Sequence, residues 1–91
     1  MPEVTVRHSD KKSELFSVDK LRASILSAAL ANSVPEGQAT QIADTVTKNV
    51  DKWLKGRAVV TPKDIRRVAA QTIEPLHPGL AFFYAHGDRI I

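Results

Sequence analysis

Cysteine is missing from this chain altogether, and with it go disulfides, thiolate zinc sites and cysteine nucleophiles. No stretch of the 91 residues approaches the ~20 consecutive apolar positions of a membrane span. The opening MPEVTVRHSD carries charges early and lacks the apolar core of a signal peptide, so a cytoplasmic location is the expectation. Glycine is sparse and scattered, at positions 37, 56, 79 and 87. Neither the Walker loop G-x-x-x-x-G-K-[ST] nor the dinucleotide fingerprint G-x-G-x-x-G can be assembled from it. The histidines, His8, His77 and His86, have no metal-ligand spacing, and no serine lies in a nucleophile-elbow context. A catalytic constellation and a metal site are therefore not expected, and the chain reads as a non-enzyme.

What is present is ordinary for a folded domain: 43% hydrophobic and 25% charged residues. A length of 91 residues makes one domain, spanning 1–91, the expectation and leaves little room for a deep cleft. The net charge of +3 mildly favours anionic partners.

Residues 3–7 (EVTVR) and 13–17 (SELFS) are rich in β-branched or aromatic side chains and are separated by the polar run HSDKK, which predicts an antiparallel hairpin. A lone hairpin is marginal in water, so it must lie on something. The helices supply it. Ser17 predicts a cap for a helix from Val18 to about Asn32, with Val18, Leu21, Ile25, Ala28 and Ala29 on its inner side. A second helix is expected to open at S-V-P-E, with Ser33 as cap and Glu36 in the reciprocal capping-box position, and to end at Gly56. Its Ala39, Ile42, Ala43, Val46, Val50, Trp53 and Leu54 share one stripe. T-P-K-D opens a third helix with Thr61 as cap, a proline in the first turn and Asp64 three residues after the cap. Its inner face is expected to be Ile65, Val68, Ala69, Thr72 and Leu76. Residues 80–86 (LAFFYAH) form a short fourth helix stopped by Gly87. The fold class is thus α+β: an N-terminal β-hairpin packed on a three- to four-helix bundle.

One residue stands out. Lys20 falls in the first turn of the first helix, where the helix dipole favours acids. The plain reading is a solvated lysine costing a few tenths of a kcal/mol. The functional reading is an anion site, because free N–H groups at a helix start and a nearby cation together hold a phosphate.

The order strand, polar turn, strand with Glu14, then FSVDKLRASI, then A-x-x-IADTVTKNV, then VTPKDIRRVAAQTI and a final AFFY resembles the ATP-cone. That domain is the regulatory nucleotide-binding unit of many ribonucleotide reductases and of a bacterial repressor of reductase genes. The resemblance runs from about Val4 to Tyr84. Glu14, Phe16, Ser17, Lys20 and Leu21 keep the family's second strand and F-[DN]-x-x-K-[IL] motif. The first turn departs from it: where the family has K-R-D-G, this chain has R-H-S-D-K-K and no glycine.

The resemblance implies a nucleotide site. Val6 would border the base, Arg7 and His8 approach the phosphates, and Lys20 hold the triphosphate. Glu14 and Ser17 would contact the sugar or base edges. Arg66 stands where the family's third helix carries a histidine, and an arginine there suits bidentate phosphate binding. Thr61 and Ser17 read first as caps and only second as ligand contacts. The implied ligand is ATP or dATP, bound without hydrolysis, with Mg2+ as an optional companion of the phosphates. The implied consequence is control of assembly, either self-association, with Phe82, Phe83 and Tyr84 as candidate contacts, or docking of a ribonucleotide-reductase-like partner. Two alternatives stay open: a degenerate cone fold serving as a protein-interaction module, and a small basic nucleic-acid binder using Arg22, Lys48, Lys52, Lys55, Arg57, Lys63, Arg66 and Arg67. Interleaved aromatics, expected of a single-strand binder, are lacking.

Overall fold

Short β-branched runs at Thr5–Arg7 (β1), Ser13–Leu15 (β2) and Val59–Val60 (β3) pair into one sheet in the order β2-β1-β3. Around it lie four helices: α1 (Val18–Ala31), α2 (Glu36–Leu54), α3 (Pro62–Ile73) and α4 (Pro78–Ala85). The computed structural model describes residues 4–7 and 13–86. The segment HSDKK, including His8, lies outside the described residues, as do Glu3 and Gly87. The architecture is α+β.

β1 is the central strand. It runs antiparallel to β2, with Val6 opposite Glu14 and Arg7 opposite Ser13, and parallel to β3, with Thr5 opposite Val59 and Val6 opposite Val60. Alternation sends Val4, Val6 and Val60 into the core, while Leu15 and Val59 stay exposed on the outer face. The helices contribute Leu21, Ile25, Val46, Val50, Ile65, Ile73, Leu80 and Tyr84 to the same core. β3 was not foreseen. Two valines beside A-V-V-T-P give no period of their own, and only the unpaired edge of β1 makes them a strand.

Capping decides the helix ends. Ser17 is extended at φ −122° and ψ 117°, and its Oγ accepts from the Lys20 N–H at 3.3 Å. Thr61 and Asp64 complete a capping box: the Asp64 N–H donates to Thr61 Oγ1 at 3.1 Å and the Thr61 N–H to Asp64 Oδ2 at 3.2 Å.

Three expectations are corrected. Ser33 does not cap α2. It sits at φ +62° beyond the end of α1, its N–H donating to Leu30 O and that of Val34 to Ala29 O, which is a Schellman closure with Val34 buried behind it. α2 begins after Pro35, with no side-chain cap among the described residues. Val18, the first residue of α1, is exposed rather than inward. Leu76 is exposed as well, since α3 stops at Ile73 before Pro75, and Ile73 takes the buried position instead.

Candidate functional site

The sheet register places the ends of two helices. Because Phe16 N donates to Val4 O at 2.7 Å, β2 delivers α1 to the Val4 end of β1. Thr61 directly follows β3, which runs parallel to β1, so α3 starts at the Arg7 end. Ser17 and Thr61 therefore stand at opposite ends of the sheet, each engaged as a cap.

Lys20 bridges part of that separation. Its Nζ lies 3.1 Å from Glu14 Oε2, and Glu14 faces Val6 across the hairpin. Val6 (1% exposed), Glu14 and Lys20 thus share the helix-facing side of the sheet, with the lysine side chain 64% in solvent. A pair this wet contributes at most about 1 kcal/mol. A more highly charged anion can displace it. Arg7 is exposed and alternates to the outer face, away from this group.

Ser24 is one helical turn beyond Lys20 on the same side of α1. Its Oγ donates to Leu21 O at 2.7 Å and lies 2.9 Å from Tyr84 Oη. A serine hydroxyl has one hydrogen, so the tyrosine is the donor in the second bond. Burial pushes the Tyr84 phenol up to about 12, against the partly compensating Ser24 hydrogen bond and the positive charge of Arg66. Arg66 is half-buried, and its Nε is enclosed with no hydrogen-bond partner among the described residues. A donor in that state is costly, by about 1–3 kcal/mol. Two separate polar contacts result: Glu14 with Lys20 where β2 meets α1, and Ser24 with Tyr84 where α1 meets α4.

Sequence reasoning missed Ser24 and offered Tyr84 as an assembly contact beside Phe82 and Phe83; Tyr84 is instead fully buried and belongs to the core. The signal for Ser24 was its spacing from Lys20. Tyr84 had none, because its role depends on how α4 packs. Among the described residues, no group of three or more acidic, histidine or cysteine side chains is arranged to hold a metal. No described helix is long and apolar enough to cross a membrane.

The basic side chains do not form one free surface. Arg22 pairs with Asp44, Arg67 Nη2 lies 3.6 Å from Asp64 Oδ1, and the Arg57 guanidinium stacks 4.3 Å from the Trp53 ring centre. Lys48, Lys52, Lys55 and Lys63 are exposed.

Strands and helices define a small α+β domain with the Lys20–Glu14 ion pair where the sheet joins its first helix. A family model of the ATP cone domain matches residues 4–86. The chain belongs to the ATP cone family, whose domain is a regulatory nucleotide-binding module and not a catalytic one. No curated protein and no solved structure matches the chain significantly.

Proposed function

We propose that the chain acts as one domain that binds ATP or dATP without hydrolysing it and uses the bound nucleotide to control assembly, of itself or with a reductase-like partner. The observation that carries this reading is the Lys20–Glu14 pair at the entrance of α1. Lys20 trades its carboxylate for the triphosphate, a better match for its charge, and the open N–H groups of the helix start add to the attraction. Glu14 accepts from ligand hydroxyls, Ser17 contributes from the cap, and Val6 borders the base. Arg66 approaches the phosphates from α3, its orphaned Nε gaining an acceptor. Arg7, on the outer face, adds only long-range positive charge, and His8, next in the sequence, approaches the phosphates. Thr61 remains a cap. Mg2+ accompanies the phosphates.

Calorimetric titration with ATP and dATP tests the reading. Lys20→Ala is expected to lose at least tenfold in affinity, about 1.4 kcal/mol. Absence of heat with both nucleotides for the unaltered protein overturns it. The glycine-free turn RHSDKK and the exposed Phe82 and Phe83 would then favour the protein-interaction module.

A further inference from the structure

We propose that α4 carries a pH-sensitive latch at its entrance: the neutral imidazole of His77 caps the helix, and its protonation opens the first turn. The latch owes nothing to the nucleotide site.

His77 is the N-cap of α4, and its Nδ1 accepts the Leu80 N–H at 3.0 Å. Pro78 has no N–H to offer, and the Ala81 N–H donates to His77 O at 3.0 Å, so the Leu80 amide depends on the ring. Leu80 itself is fully buried. The usual capping residues, Ser, Thr, Asp and Asn, accept throughout the neutral range, whereas an imidazole does so only while uncharged. Histidines take up their proton between about pH 8 and pH 5. Once it is protonated, Nδ1 bears a hydrogen of its own and meets the Leu80 N–H donor to donor. The new charge also sits at the positive end of the helix dipole. Both effects have one sign: the cap holds at high pH and fails as pH falls. His77 is half-buried, so solvent protons reach it.

No neighbouring charge offsets this. α3 and α1 pack against α4. α3 carries Lys63, Asp64, Arg66 and Arg67 in its first half and is closed by the exposed Glu74. α1 carries Asp19, Lys20 and Arg22, of which Lys20 is paired with Glu14 and Arg22 with Asp44. Among the described residues, no carboxylate comes within ion-pair distance of His77. The other titratable groups of α4 are Tyr84 and the C-cap His86. His86 lies against Phe82 with ring centroids 4.3 Å apart, and a positive charge there suits both the ring face and the helix dipole. Acid therefore loosens one end of α4 and not the other. The loosened turn is the one that delivers Leu80 and Ala81 to the core.

Thermal unfolding of the full chain from pH 8 to pH 5, for wild type, His77→Asn and His77→Ala, tests the latch. Asparagine caps across this range and alanine never does. All other titrating groups are shared, so differences between the curves isolate position 77. Wild type should melt with His77→Asn at pH 8, about 4–8 °C above His77→Ala, and converge on His77→Ala at pH 5. Amide exchange by NMR adds the location. The Leu80 protection factor should fall about threefold or more in wild type over the same range, stay level in His77→Asn, and still fall in His86→Gln. A wild-type melting point at constant distance from His77→Asn at every pH overturns the latch. So does a Leu80 amide whose protection stays level, or whose fall disappears with His86. Should His77→Ala not fold, the comparison with His77→Asn decides alone.

Discussion

Tyr84 makes a residue-scale prediction that needs no ligand. Its phenol is neutral in the fold up to about pH 12, whereas an unfolded tyrosine ionises near pH 10. Between these values the unfolded chain has lost a proton that the folded one keeps, so stability is whole below pH 10 and falls as pH rises toward 12. The chain has one tyrosine, and phenolate absorbance therefore reports this group alone. Urea unfolding from pH 8 to 11.5 should show a steeper alkaline loss for wild type than for Tyr84→Phe. Parallel curves would mean the phenol is not held neutral. Lys20 illustrates the other extreme. Its pairing with Glu14 is exposed, so Lys20→Ala should move the melting point little while it changes binding, and a large loss of stability would reassign the lysine to the fold.

Helix ends carry the predictions at the scale of elements. Thr61→Ala removes an acceptor from a complete capping box and is expected to cost about 1 kcal/mol, measured by urea denaturation. Ser33→Gly should stabilise by about 0.5–1 kcal/mol, since glycine adopts the left-handed conformation at φ +62° without a Cβ clash. A neutral or negative result would show that Ser33 is not strained there. The same elements show what was legible. The caps at Ser17 and Thr61, and the α2 stripe from Ala39 to Leu54, follow from local chemistry and a 3.6-residue period, which the amino-acid order carries directly. Ser33 was misplaced because serine before proline and glutamate signals an N-cap as readily as it tolerates a Schellman turn, and burial of Val34 settled the competition. β3 and the Ser24–Tyr84 bond were not legible. Both join residues far apart in the chain through packing, and no local pattern encodes that. Of the candidate site, Val6, Glu14 and Lys20 do meet, whereas Ser17 and Thr61 lie at opposite ends of the sheet and Arg7 is on its outer face.

For the whole molecule the question is what occupancy changes. α4 bears no charged residue, and its Phe82 is 68% exposed, so this face can meet another apolar surface without desolvating a charge. On the proposed reading, size-exclusion chromatography with saturating dATP should show a shift in elution relative to the free protein, and a Phe82→Ser variant should bind nucleotide normally while losing that shift. Unchanged elution would remove self-association and leave a partner in trans. With Arg22, Arg57 and Arg67 engaged by neighbouring side chains, the domain is expected to respond to salt unlike a nucleic-acid binder. ATP affinity should persist at about 200 mM salt, where phosphate-backbone binding falls steeply, and oligonucleotides should not compete.

The position of β1 at the middle of the sheet sets a timetable for biosynthesis. β3 follows β1 by about fifty residues in the chain, so Thr5 and Val6 must wait for Val59 and Val60 before their second edge is satisfied. At roughly 5–20 residues per second this takes several seconds. Throughout that interval the nascent chain carries an open backbone edge, on the side away from its β2 partner.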